Sequence, residues 1–149
     1  VYQKKNVERG FIQGAEMGLD LSLNPKWNLS GNITYTYGQN KTSDEPARRI
    51  PPLFGRLATS YTIKNWNLNA DWLLAGKQDR LASGDVDDNR IPDGGTPGWN
   101  VLNIHGSYSI NYVTIAVGLQ NIFNEDYRYH GSGVNGYGRS GVLSVAARL

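Results

Sequence analysis

Apolar and polar residues alternate with a period of two along most of this 149-residue chain, and the connections between alternating runs are short and long in turn. In Lys26 to Gly38, Trp27, Leu29, Ile33, Tyr35 and Tyr37 share one face of an extended strand, and Asn28, Ser30, Asn32, Thr34 and Thr36 share the other. Trp66 to Gly76 repeats the scheme, with Trp66, Leu68, Ala70, Trp72 and Leu74 opposite Asn67, Asn69 and Asp71. The same period runs through Gly14–Leu23, Leu53–Ile63, Trp99–Ile110, Tyr112–Phe123 and Ser140–Leu149. That makes seven strands, the first extending back toward Tyr2, or eight if Val1–Glu8 forms a separate one. No segment carries a helical period, and no run approaches the roughly 20 apolar residues of a membrane helix.

The connections decide between architectures. Asn24–Lys26, Lys64–Asn65 and Asn111–Tyr112 are tight turns, whereas Gln39–Pro52, Lys77–Gly98 and Asn124–Gly138 are long and polar. Strict alternation of this kind sorts short turns to one end of an up-and-down sheet and long loops to the other, the arrangement of outer-membrane barrels. Loop lengths in a soluble sandwich have no reason to sort by end.

Period two does not say which face lies inside. Trp27 and Trp66 stand just after short turns on the apolar face, with Tyr35, Tyr37 and Trp72 toward the other end, as in the aromatic girdles of a membrane barrel. The opposite face is rich in Asn, Thr and Ser, which suits a hydrated lumen, and Glu16, Asp20, Asp71 and Arg56 are expected to form polar networks there. The fold expected is therefore all-β: an antiparallel up-and-down transmembrane β-barrel segment. Seven strands would leave open edges, which hydrocarbon does not tolerate, so the segment is expected to be part of a larger barrel. The alternatives are a small closed membrane barrel, adhesive or structural, and a soluble all-β binding module with the tryptophans in its core.

Composition narrows the function. A net charge of +2 with scattered Lys and Arg leaves no footprint for nucleic acid. The absence of cysteine removes disulfides and thiolate chemistry. His105 sits on the polar face with no nucleophile motif beside it, and no paired acid and base motif is present, so no enzyme is expected.

Three motifs carry a resemblance that runs along nearly the whole chain. Asn121, Ile122, Phe123, Asn124 and Tyr127 resemble the pattern that ends the penultimate strand of TonB-dependent outer-membrane receptors. Asn89–Asn103 looks like a loop and following strand of the same family, and Gly14 with Glu16 resembles its Gly-any-Glu entry into a strand. The resemblance implies a twenty-two-stranded barrel around an N-terminal plug, of which residues 1–149 would be the C-terminal part. It further implies residence in a Gram-negative outer membrane, outer-membrane lipid, barrel and plug as partners, and energy from TonB through the N-terminal part. The cargo would be a scarce nutrient such as a ferric siderophore, haem or cobalamin. Leu149 replaces the aromatic residue that more often ends such barrels.

Two loop segments hold candidate sites. Asp85, Asp87 and Asn89, with Asp93 beyond, place oxygen ligands at alternate positions of loop 85–95, a spacing able to wrap Ca²⁺. Arg90 occupies the turn position where an EF-hand has glycine and no Glu closes the loop, so an ordinary hydrophilic loop is the competing reading. Tyr127, Tyr129, His130 and Arg139, spaced among glycines, are the candidate ligand contacts, with plain packing of the barrel mouth as the alternative.

Overall fold

The computed structural model describes residues 9–148. Seven long strands form one continuous antiparallel sheet: β1 (Gly10–Asn24), β2 (Trp27–Asn40), β4 (Phe54–Ile63), β5 (Trp66–Ala75), β6 (Trp99–Ile110), β7 (Val113–Gln120) and β8 (Ser140–Ala147). A two-residue β3 (Glu45–Pro46) pairs with the end of β2, and one helical turn, α1 (Ser83–Val86), lies in the loop before β6. Each long strand pairs with its successor in sequence, so the sheet is a simple meander. It is open rather than closed, as expected of a barrel segment. The proposed extension toward Tyr2, and a further strand at Val1–Glu8, lie outside the described residues.

Register shows why the two faces differ. Directly opposed residues of an antiparallel pair project to the same side, and apolar residues oppose apolar or small ones across the whole sheet: Met17 and Ile33, Leu57 and Trp72, Trp72 and Leu102, Ile104 and Leu119, Ile115 and Val145. The other side reads Glu16 and Thr34, Ser60 and Asn69, Asn69 and His105, Ser109 and Thr114. Among the described residues no layer covers the apolar side; Leu19, Leu57, Trp66, Trp72, Ile115 and Leu143 are all exposed. A soluble module would have to bury that face, because exposed apolar patches beyond a few hundred Å² are rare on soluble monomers.

The short connections are two-residue turns at Pro25–Lys26, Lys64–Asn65 and Asn111–Tyr112. Lys64 and Asn111 take positive φ (51° and 50°), as the twist-matched hairpin turns require. Above them Trp27 packs edge-on against Tyr61 (6.4 Å between ring centroids), and Trp66 lies 4.7 Å from Tyr108. These four rings form an aromatic band at the short-turn end of the apolar face.

Two strand limits differ from the alternation. β7 stops at Gln120 rather than continuing through Phe123, because Asn121 turns the chain with φ 48°. Phe123, expected on the apolar face of the strand, is an exposed turn residue. The expected polar network is also smaller: Arg56 Nε pairs with Asp71 Oδ1 at 2.5 Å, whereas Glu16 and Asp20 stand opposite Thr34 and Ser30 without joining it.

Candidate functional site

The core of the described residues lies under the loops rather than within the sheet. At the long-loop end of the polar face four apolar residues break the pattern, Phe54, Leu73, Trp99 and Val101, with Leu73 directly opposite Val101. The loops fold down onto this patch, leaving Ile50, Ala82, Ile91, Trp99 and Val101 buried.

Carboxylate hubs hold the first two loops together. Asp85, 1 % exposed, accepts hydrogen bonds from the Arg49 amide (3.1 and 3.2 Å) and the Ala82 amide (3.3 Å), with Arg48 Nε 3.6 Å away. Asp88 accepts from Arg90 Nη2 at 2.6 Å and Nε at 2.8 Å, and from Arg49 Nη2 at 3.1 Å. Two carboxylates thus face three guanidinium groups, and charge-assisted bonds of this kind are the strong ones. Glu45 adds a bond from the Ser83 amide at 2.9 Å, which holds its carboxyl below the usual range, helped by the Ser83 and Ser43 hydroxyls. Gln78 Nε2 donates to the Ile50 carbonyl at 2.7 Å.

This geometry bears on the calcium reading. Of Asp85, Asp87, Asn89 and Asp93, only Asp85 is buried, and both its oxygens are engaged by protein donors; the other three are exposed. Among the described residues no three acidic, His or Cys side chains gather as a metal-ligand set. Backbone amides of Arg49 and Ala82 hold Asp85, and Arg48, Arg49 and Arg90 surround Asp88, the carboxylate next to Asp87.

The last loop, residues 121–139, is tied down by Asn121, which is 2 % exposed. Its Nδ2 donates to the carbonyls of Glu125 and Tyr137, and its Oδ1 accepts from the Glu125 amide, each at 2.8 Å. Within the loop, Tyr127 and Tyr129 pack on Trp99, with centroids 4.7 and 5.1 Å away, and Phe54 lies 6.1 Å from Trp99 and 6.2 Å from Tyr129. The Trp99 indole donates to the Arg128 carbonyl at 3.0 Å, so the strand ring is fastened to the loop backbone. Gly136 belongs to this packing, since a Cβ there would collide with the Tyr127 ring.

Between loops and sheet lies a concavity of about 350 Å³ lined by Thr34, Pro51, Pro52, Phe54, Ala75, Trp99, Tyr129 and His130. His130 Nδ1 is 2.9 Å from the Oγ1 of buried Thr96. Burial depresses the imidazole pKa, partly offset by the charges of Asp85 and Asp88. Burial likewise raises the Tyr129 phenol, with Tyr127 and Asp71 adding to the shift. Apolar walls with a few fixed polar groups are the usual make-up of a small-molecule site.

The four candidate ligand contacts therefore separate. Tyr129 and His130 line the concavity, Tyr127 supports it through Trp99, and Arg139 is exposed, its amide capped by Asn124 Oδ1 at 2.9 Å. Phe54, Trp99 and Thr96 were not expected. The signal for Phe54 and Trp99 was present: each is a large apolar residue on the polar face of its strand.

A sheet that is apolar outside and polar inside, with aromatic rings at its short-turn end and packed loops at the other, is part of the wall of an outer-membrane β-barrel. The chain belongs to the TonB-dependent receptor family, residues 1–122 matching the family model described as "TonB dependent receptor-like, beta-barrel", and so resides in the Gram-negative outer membrane. Among solved structures, that of the protein named "Copper transporter OprC" matches with a TM-score of 0.78 and 25% identity, over 93% of this chain. The chain spans 23% of that protein's length. No curated protein matches.

Proposed function

We propose that this chain is the C-terminal barrel portion of a receptor for TonB-energised uptake of a scarce nutrient, contributing lumen wall and three extracellular loops. A plug and the segment that contacts TonB would belong to the rest of the receptor. The observation that carries the reading is the aromatic concavity roofed by the last loop and facing the lumen side, with Phe54, Trp99, Tyr129 and His130 in its wall. Binding there would hold cargo at the mouth before the plug rearranges.

Ferric siderophores, haem and cobalamin are candidate cargoes, and the likeness to a copper transporter adds copper to them. What the concavity offers a ligand is aromatic surface and one imidazole, which suits contact with an organic or chelated species. The test is uptake by cells carrying the full-length receptor, with each cargo labelled, in the presence and absence of TonB. TonB-dependent accumulation of one cargo, lowered by Trp99→Ala, is expected; uptake of every cargo at the same rate without TonB would overturn the reading.

A further inference from the structure

The outer wall carries a groove of about 670 Å³ at its short-turn end, lined in part by Trp27, Thr59, Tyr61, Leu68, Ala70 and Ile104. Register explains it. One row across the apolar face runs Leu29, Thr59, Ala70, Ile104, with its two central residues small. The rows on either side place Tyr61 and Leu68 below and Leu57 and Trp72 above, so the small pair lies between larger side chains.

The floor of the groove is dry in its chemistry. The Thr59 hydroxyl accepts from the Trp27 indole at 2.7 Å and donates to the Asn28 carbonyl at 3.0 Å, so the indole N–H and the hydroxyl on the floor satisfy one another and the backbone. A hydrocarbon chain can lie over them without the desolvation cost of an unpaired donor.

The rim supplies the charge. Lys26 and Lys64 are exposed on neighbouring short turns, joined where the Thr62 amide donates to the Lys26 carbonyl at 2.8 Å. Residues 24–27 and 61–66 contain no Asp or Glu, and neither lysine takes part in an ion pair among the described residues. Acidic residues concentrate at the opposite, long-loop end, among them Asp44, Glu45, Asp79, Asp85, Asp87, Asp88 and Asp93.

From the groove, its satisfied floor and its unopposed cations, we infer that this face of the barrel seats an anionic glycerophospholipid of the periplasmic leaflet. One acyl chain lies along Thr59 and Ala70 while the headgroup phosphate meets Lys26 and Lys64. Basic residues beside an apolar surface bind acidic headgroups in this way, and Trp27 and Tyr61 fix the depth of the interface.

The experiment is native mass spectrometry of the full-length receptor titrated with phosphatidylglycerol or with phosphatidylcholine. Tighter binding of phosphatidylglycerol is expected, falling about fivefold for each lysine replaced in Lys26→Gln and Lys64→Gln, with phosphatidylcholine, whose choline offsets its phosphate, falling much less. Ala70→Phe fills the groove and is expected to weaken both lipids while both lysines remain. Equal affinity for the two lipids in the unaltered receptor would overturn the inference. So would a phosphatidylglycerol preference that survives loss of both lysines, or binding of both lipids that Ala70→Phe leaves intact.

Discussion

The side-chain amide of Asn121 donates at 2.8 Å to the backbone carbonyl of Tyr137, closing the last long loop at its base. The same side chain also exchanges two bonds with the backbone of Glu125, so one buried residue satisfies three backbone groups. Its φ of 48° is a conformation that Asn tolerates better than most residues. The motif that begins at Asn121 thus has a local physical role, which is to end β7 and fix the loop that carries Tyr127, Tyr129 and His130.

Replacing Asn121 with Ala strands these backbone groups and should cost about 2–4 kcal/mol of local loop stability. Asn121→Asp should be at least as damaging at neutral pH, since it retains the acceptor for the Glu125 amide but turns a carboxylate oxygen toward two carbonyls. Limited proteolysis reads the effect: cleavage after Arg128 should rise in both variants while the barrel stays folded. Unchanged protection in both would mean that the loop is held elsewhere.

Leu57 and Ala58 are neighbours in sequence on opposite faces of β4; Leu57 opposes Trp72, and Ala58 opposes Asp71. Lysine at 57 would enter the bilayer at a cost of about 2–4 kcal/mol near mid-depth. Lysine at 58 enters a polar lumen beside a carboxylate. Folding of the two variants into lipid vesicles, followed by heat-modified gel mobility, should show a large loss for Leu57→Lys and little for Ala58→Lys. Equal tolerance would reverse the assignment of faces.

The hub at Asp85 and Asp88 predicts the response to chelation. Because arginine and backbone donors occupy these carboxylates, EDTA should leave the protease resistance of loop 76–98 unchanged. Asp85→Asn, which cannot accept with two oxygens, should speed hydrogen exchange at Arg49 and Ala82. Loss of resistance with EDTA, restored by Ca²⁺, would establish the calcium reading of the loop.

These outcomes separate what the sequence disclosed from what it did not. Strand faces were legible, because side-chain direction follows period two and each short turn preserves it. Turns were legible from Asn, Pro and Lys at the ends of alternating runs. Contacts between loops were not: Asp85 meets the Arg49 amide across 36 positions, and Glu45 of β3 accepts from the Ser83 amide of α1 across 38. Phe54 and Trp99 stood on the face opposite to the one their hydrophobicity suggested. That mismatch marks the covered mouth, but period two alone does not name the loop that covers it.

His130 gives the last prediction. Burial holds its imidazole below the ordinary value despite Asp85 and Asp88, so the folded loop favours the neutral ring more than the unfolded chain does. A depressed folded pKa contributes stability that is present above the unfolded value, about 6.5, and is lost as pH falls through the folded one. Protonation also ends any acceptor role of Nδ1 toward Thr96 Oγ1, leaving a charge beside Trp99 and Tyr129 in a mostly apolar concavity. Protease protection of residues 121–139 should therefore decline as pH is lowered from about 7.5 toward 5.5, and His130→Gln should flatten that dependence. Glu45, its own pKa held below the usual carboxylate range by Ser83 and Ser43, acts at lower pH on the contact between the first two loops instead. A His130→Gln receptor that keeps the full decline between those two pH values would show that another group controls the mouth.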